Sequence, residues 1–188
     1  MSMSVVRRKD TFTPRVLMHK VADVTGGVSV NVSELGGDYL KEGSVLSAPI
    51  NGVCHVVKVA EVVAAVTATG KEVKVKKGHN FKRGDFVMLV ENGAAVEIDS
   101  IDNSQKESDT IKIKAALGVI NNGDCIVEAK EASTNASALK YTPFAVVGTG
   151  KPISSGVNFD TDAWVIAVTK GNKLPACVEK HLKGIVNY

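Results

Sequence analysis

The histidines and cysteines are the residues of this chain that could supply a nucleophile, a general base or a metal ligand. Nucleophilic catalysis needs a thiol or hydroxyl within reach of a base, and a zinc site needs paired ligands such as C-x-x-C. The residues concerned are His19, His55, His79, His181, Cys54, Cys125 and Cys177. His55 follows Cys54 directly, but neighbouring side chains in a strand point to opposite faces. The spacing therefore predicts buried free thiols, no catalytic residue, no metal site and no cofactor.

Two short motifs resemble binding or acid–base sites. Gly148-Thr149-Gly150 follows an apolar strand, as a dinucleotide fingerprint would, but position 153 is an isoleucine and Pro152 interrupts the helix that such a site requires. Asp160 and Asp162 could place two carboxylates on one strand face, or could accept backbone N–H groups in a loop. We expect a plain turn at the first motif and a loop at the second.

Short β-strands are the elements that must position these residues. From Lys71 to Ala129, valine and isoleucine alternate with charged residues, and glycine-containing turns recur roughly every eight to twelve residues. Arg83-Gly84-Asp85 and Asn122-Gly123-Asp124 are similar turns, each followed by an apolar strand. Asn51-Gly52 is typical of a type I′ hairpin. The stretch after Pro175 predicts one short helix that ends before Gly184.

These patterns predict a mainly β protein organised in three parts. Residues 1–20 are expected to form a flexible basic N-terminal arm. Residues 21–70 and 132–188 are expected to form one β-rich scaffold with one short C-terminal helix. Residues 71–131 are expected to form a small β-barrel or sandwich module inserted into that scaffold. No apolar run approaches the length that spans a membrane, so no membrane partner is expected.

Positive charge is concentrated in the arm. Residues 1–20 carry five lysines and arginines against one aspartate, whereas the whole chain has a net charge of only +3. Such an arm can dock on an acidic surface, or can be a solvated chain terminus. The candidate contact residues are Arg7, Arg8, Lys9, Phe12, Arg15 and Lys20. Nucleic acid is not expected as the partner, because the body has no basic stripe with interleaved aromatic residues.

Four phrases of the sequence are similar to a known family. They are GGVSVNVSELGGDYLKEGSVLSAPINGVCHVVKVAEV, KVKKGHNFKRGDFV, ALKYTPFAVVGTGKP and TDAWVIAVTKGNKLPACVEKHLKGIVNY. Together they resemble phage head fiber proteins. The phrase Gly43-Ser44-Val45-Leu46, the strand after Pro143 and the C-terminal helix also resemble the short head-decoration proteins of tailed phages.

This resemblance implies a structural, non-enzymatic virion protein with a head-decoration-like scaffold. It would be made in the bacterial cytoplasm and bind the outer surface of a capsid. Its partners would be the major capsid protein and other copies of itself, with a homotrimer favoured. The alternative is an adhesin that binds a carbohydrate or a host surface through residues 71–131. Those residues contain only two aromatic side chains, Phe81 and Phe86, for stacking on a sugar.

Overall fold

The computed structural model describes residues 15–153 and 158–188. Within those ranges the protein is mainly β, with sixteen short strands and one helix of four residues. The strands are β1 Leu17–Asp23, β2 Val28–Val30, β3 Tyr39–Leu40, β4 Val45–Ser47, β5 Val56–Val57, β6 Val59–Glu61, β7 Glu72–Lys76, β8 Phe86–Met88, β9 Ala95–Asp102, β10 Ser108–Ile113, β11 Cys125–Ala129, β12 Pro143–Val147, β13 Lys151–Pro152, β14 Phe159–Thr161, β15 Ala163–Thr169 and β16 Ile185–Asn187. The helix α1 spans Ala176–Glu179.

The first large sheet, called here the scaffold sheet, has the strand order β1-β15-β12-β4-β5. β16 pairs with β15 in parallel, and every other pairing in the scaffold sheet is antiparallel. Its strands come from both ends of the described chain, so the polypeptide leaves this sheet after β5 and returns to it at β12. Two further antiparallel sheets have two strands each and pair β3 with β13 and β2 with β14.

The second large sheet, called here the module sheet, has the order β6-β11-β8-β9-β10-β7. It begins at Val59, twelve residues before the boundary predicted at residue 71. A bridge between Val62 and Val75 joins the segment after β6 to β7. Within the described residues this sheet does not close into a barrel, so the barrel expectation is wrong in that respect.

Buried apolar side chains form three layers. The first lies on one face of the module sheet and contains Phe81, Ile98 and Ile126. The second lies between the two large sheets, where Val127 packs with Leu17 and other scaffold residues. The third covers the opposite face of the scaffold sheet. Every position of β11 is buried, because alternate residues face the first and second layers. The module is thus packed against the scaffold through a shared core.

The two predicted Gly-Asp turns have the same geometry. Asp85 Oδ2 accepts the N–H of Lys82 at 2.9 Å, and Asp124 Oδ2 accepts the N–H of Asn121 at 2.8 Å. Each turn leads into a strand, and these two strands, β8 and β11, are antiparallel neighbours. The predicted hairpin at Asn51 is also confirmed, with positive φ at both central residues, 53° and 82°.

The predicted short helix is confirmed: it begins directly after Pro175 and ends at Glu179. Val178 and the following Leu182 are buried in the layer between the sheets. Pro175 has an extended backbone, as expected for a residue just outside the first helical turn. The helix therefore anchors the C-terminal segment before β16.

The predicted limit of the basic arm at residue 20 is wrong. Leu17 to Lys20 belong to β1, and Leu17 is fully buried between the two large sheets. The backbone N–H of Leu17 donates to Glu42 Oε1 at 2.6 Å, which fixes the start of the strand. Burial of Leu17 and pairing of β1 with β15 therefore fix residues 17–20 on the scaffold sheet, although their charge had suggested a free arm. The predicted contact residues Arg7, Arg8, Lys9 and Phe12 lie outside the described residues.

Candidate interaction surfaces

The outer edge of β1 is a candidate interaction surface. β1 is the terminal strand of the scaffold sheet, and among the described residues only β15 pairs with it. Met18 and Val21 on this strand are 46% and 60% exposed. Register shifts beside both residues interrupt the pairing with β15. The edge therefore offers unpaired main-chain groups together with exposed apolar side chains.

The two described candidates for capsid contact differ in their surroundings. Arg15 is exposed, and its Nε donates to the carbonyl of Leu17 at 3.0 Å. Lys20 Nζ lies 3.3 Å from Gly148 O, 3.5 Å from Asp162 Oδ2 and 5.2 Å from the centre of the Trp164 ring. Lys20 thus contacts its own scaffold, and Arg15 is the candidate cation that faces solvent.

Asp162 has a structural role that the sequence did not reveal. Its Oδ2 accepts the indole N–H of Trp164 at 2.8 Å. Burial alone raises the pKa of Asp162, but hydrogen bonds from Trp164 and Thr149 and the charge of Lys20 hold that pKa below its ordinary value. Asp160 lies on β14 and is exposed. The Asp-x-Asp motif therefore supports the β14–β15 corner through its second carboxylate.

An apolar patch lies near the end of the scaffold sheet. Ile166, Val186 and Tyr188 are 46%, 61% and 65% exposed. Val186 pairs with Val168 across β15 and β16, and Val168 stands two residues after Ile166 on the same strand. Side chains directly opposite each other, or two residues apart, share a face of a sheet. We call Ile166, Val186 and Tyr188 the C-terminal patch.

A chain of charged side chains runs into the core. Lys58 is 1% exposed, and its Nζ lies 2.6 Å from Asp85 Oδ2 and 3.1 Å from Glu128 Oε1. Lys140 Nζ reaches the same Glu128 Oε1 at 2.9 Å. Burial raises the pKa of Glu128, and it outweighs the lowering effect of the two ammonium groups. The second carboxylate oxygen of Glu128 is buried without a hydrogen-bond partner among the described residues.

The same chain continues to the surface at Glu34. Its carboxylate accepts the Tyr141 hydroxyl at 2.8 and 2.7 Å, and its Oε1 lies 3.2 Å from His55 Nδ1. The His55 and Tyr141 rings stack with their centres 4.4 Å apart. Burial and the hydrogen bond to Glu34 both raise the pKa of the Tyr141 hydroxyl. We call these residues, together with Lys140, Glu128, Lys58 and Asp85, the ionic chain.

The members of the ionic chain are far apart in the sequence, so no local sequence pattern reveals it. Lys58 and Glu128 are separated by 70 residues. The expectation that His55 and Cys54 do not meet agrees with the packing, since Cys54 lies in the third apolar layer and His55 contacts Tyr141. One local signal existed at Lys58, because it interrupts an otherwise apolar run of strand residues.

His79 stabilises the buried turn that leads to Phe81 and connects this turn to Asp109 on β10. Its Nδ1 accepts the N–H of Phe81 at 3.0 Å, and its Nε2 lies 3.3 Å from Asp109 Oδ2. Burial lowers the pKa of His79, although Asp109 acts in the opposite direction. These contacts give His79 a structural role in the wall of a groove between residues 36–41 and 77–83.

The three cysteines carry free thiols. Cys54 and Cys125 are buried, as expected, and Cys177 is partly exposed. Burial raises the pKa of all three thiols, to about 11 for Cys125, where Glu61 adds to the effect. Such thiols are poor nucleophiles near neutral pH.

Comparison with known proteins identified no relative. No family model, no curated protein and no solved structure matches the chain. In the part of the chain that the structure describes, no cluster of three or more His, Cys, Asp or Glu side chains is arranged to hold a metal ion. In residues 15–153 and 158–188, the single helix is too short to cross a bilayer.

Proposed function

We propose that this protein is a structural component of a phage virion that binds the outer surface of the capsid. In this proposal it acts as a head fiber or head-decoration protein, with the major capsid protein as its partner. The observation that carries the proposal is the outer edge of β1, which has no pairing strand among residues 15–153 and 158–188 and follows the basic N-terminal segment in the sequence. The resemblance of the sequence to head fiber proteins supports the same function.

Main-chain pairing along β1 provides the contact. An extended segment of a partner can add to an exposed sheet edge through backbone hydrogen bonds, while side-chain contacts select the partner. Met18 and Val21 would supply apolar contacts beside that edge. Arg15 and the basic residues Arg7, Arg8 and Lys9 that precede it in the sequence would attract an acidic capsid surface.

Repetition on the capsid lattice strengthens each weak contact. Copies joined to one another bind a lattice with an effective concentration far above that of a free monomer. We propose a homotrimer in which the C-terminal patch lies between subunits, because exposed apolar patches commonly mark protein interfaces. A trimer that bridges neighbouring capsid subunits would stabilise the shell.

The capsid contact can be tested by cosedimentation with purified shells of the phage that encodes the protein. The double substitution Met18→Lys and Val21→Lys places charge at the edge of β1, and we expect it to abolish cosedimentation. Val119→Lys is the matched control, since Val119 is 61% exposed and lies between β10 and β11. Binding that survives in the β1 variant, with an unchanged circular dichroism spectrum, would overturn the β1 contact.

The trimer can be tested separately by sedimentation equilibrium of the purified protein. Val186→Asp is expected to convert the trimer to a monomer, whereas Val90→Asp, at a position of nearly equal exposure, is expected to leave the trimer intact. A wild-type protein that is monomeric at all concentrations would exclude the proposed assembly in solution.

A further inference from the structure

A wide groove with charged residues along its lining separates the scaffold from one end of the module sheet. One wall is formed by residues 36–41 and the other by residues 77–83, and the ends of β9 and β10 form the floor. Its volume is about 1060 Å³. This exceeds the usual range of a small-molecule site, roughly 300–1,000 Å³, and is large enough for several sugar rings. We call it the basic groove.

Cations outnumber anions along the groove. The basic side chains that line it are Lys41, Lys77, Lys82 and Arg83, and the acidic ones are Asp38 and Asp109. Asp109 already has partners, since its two oxygens lie 2.7 Å from Lys77 Nζ and 3.3 Å from His79 Nε2. Among the described residues, no carboxylate forms an ion pair with Lys41, Lys82 or Arg83. The groove therefore presents uncompensated positive charge to a ligand.

Lys41 is held in place before any ligand binds. Its ammonium donates to the carbonyl of Lys77, and its side chain crosses Gly78 so closely that a Cβ there would lie 2.0 Å from Lys41 Cε. Partial burial lowers the pKa of Lys41, and it outweighs the raising effect of the Asp109 charge. A preorganised cation loses less conformational entropy on binding.

The two walls are locked together at their base. A Cβ at Gly36 would lie 2.0 Å from the carbonyl oxygen of Phe81, and the Gly36 N–H donates to Asn80 O at 2.9 Å. A Cβ at Gly37 would lie 2.6 Å from Asn80 Oδ1, an atom without a hydrogen-bond partner among the described residues. Only glycine permits this close approach, so the groove is a built feature of the fold.

The remaining lining suits a sugar. Tyr39 lies half-buried in one wall and is an aromatic residue of the lining, while Ser100 and Asn103 offer hydrogen-bonding groups to hydroxyls. Phe81 is only 2% exposed, so among the described residues Tyr39 is the one aromatic side chain of the lining that a ligand could reach. Single-stranded nucleic acid is usually held by several stacking rings, which favours a saccharide over an oligonucleotide.

We infer that the basic groove is a binding site for an acidic saccharide, with Lys41, Lys82 and Arg83 pairing with its anionic groups. Arg83 can form a bidentate hydrogen-bonded pair with a carboxylate or a sulfate through two N–H groups. The inference is independent of capsid binding, because it concerns a different surface and needs no shell.

Calorimetric titration of the purified full chain tests the inference. The probes are tetragalacturonate, a heparin-derived tetrasaccharide, the methyl ester of tetragalacturonate, inorganic phosphate and a single-stranded oligonucleotide. We expect binding of at least one acidic saccharide, and no binding of the neutral ester or of phosphate. Equal binding of phosphate would reduce the groove to a simple anion site, tighter binding of the oligonucleotide would assign it to nucleic acid, and no binding of any probe would reject it.

Variants locate the binding in the groove. Lys82→Ala with Arg83→Ala is expected to weaken saccharide binding by about tenfold or more, and Tyr39→Ala is expected to weaken it further. The control is Lys130→Ala with Lys183→Ala, which removes two exposed lysines outside the groove. It lowers the net charge of the protein by the same amount as the groove variant. Equal losses in both double variants would show attraction to overall charge and would overturn the assignment. Thermal unfolding of each variant confirms that the fold is kept.

Discussion

The ammonium of Lys58 lies 2.6 Å from the Asp85 carboxylate, inside the protein and away from solvent. Lys58 is the residue between β5 and β6, where the chain passes from the scaffold sheet to the module sheet. Lys140 stands on the return path between β11 and β12, and both lysines bind Glu128 Oε1. The carbonyl of Lys58 also accepts the N–H of Glu128 at 3.0 Å. Glu128 thus ties together the two points at which the chain crosses between the sheets.

Replacement of Lys58 by methionine is expected to destabilise the protein by about 3–5 kcal/mol. The substitution keeps most of the side-chain volume but leaves two buried carboxylates without their shared cation, which is the costly way to break a buried ion pair. Urea unfolding followed by circular dichroism measures the loss. Lys76→Met is the matched control, because Lys76 is 59% exposed and pairs with Glu61 at the surface. That control is expected to cost less than about 1 kcal/mol, and a similar cost for both variants would contradict the role of Lys58.

The pH dependence of Glu128→Gln relative to the wild type reports the burial of this carboxylate. Burial raises the pKa of Glu128, while Lys58 and Lys140 lower it and Asp85 raises it. A carboxyl whose pKa is raised in the folded state contributes stability when protonated, and that contribution is lost as pH rises from the ordinary pKa through the folded value. We therefore expect the wild type to lose free energy of unfolding relative to the glutamine variant as pH rises above the ordinary glutamate pKa of about 4.3.

Urea unfolding of the wild type and of Glu128→Gln at a series of pH values measures this loss. Most other groups titrate alike in both proteins, so their effect cancels in the difference between the two free energies of unfolding. If the wild type instead gained stability over the variant with rising pH, the two lysines would dominate the environment of Glu128. The pKa of Glu128 would then be lowered, contrary to our assignment.

Local features of this fold were predictable from the sequence, and long-range ones were not. Period-two alternation, the Asn51-Gly52 hairpin and the helix after Pro175 depend on neighbouring residues, so the sequence displays them directly. The strand at Leu17–Lys20 was missed because its charges masked a single buried leucine. The partners of Lys58 could not be predicted, because strand order decides which distant residues meet. The basic groove depends on the contact of Gly36 with Phe81, which only the tertiary structure reveals.

Thiol labelling should separate the three cysteines. Cys54 and Cys125 are 1% and 7% exposed and Cys177 is partly exposed, while burial raises the pKa of each thiol. We expect iodoacetamide at mildly alkaline pH to modify Cys177 first, and the other two only at the rate of unfolding. Peptide mass spectrometry over time identifies the order. Rapid labelling of Cys125 in the folded protein would show that its strand opens locally.

Gly148 controls the corner that holds the single tryptophan of the chain. A Cβ at this position would lie 2.0 Å from Asp162 Oδ2 and 2.2 Å from Trp164 Nε1. We therefore expect Gly148→Ala to displace the carboxylate, the indole, or both, and to break the hydrogen bond of 2.8 Å between them. Trp164 also packs in the apolar layer between the sheets, so this displacement disturbs the core beside it. We expect a destabilisation of about 1–3 kcal/mol and a shift in tryptophan emission.

Gly26→Ala is the control that separates the contact with Asp162 and Trp164 from the general effect of adding a methyl group. Gly26 has a φ of 86° and no atom within 4 Å of its added Cβ, so Gly26→Ala has only a backbone cost of about 1–2 kcal/mol. Both variants are thus expected to lose comparable stability, whereas only Gly148→Ala is expected to change the emission of the folded protein. Because the chain has one tryptophan, that emission reports the Asp162 corner alone. An unchanged spectrum in Gly148→Ala would mean that β12 moves to admit the methyl group while the Trp164–Asp162 bond stays intact.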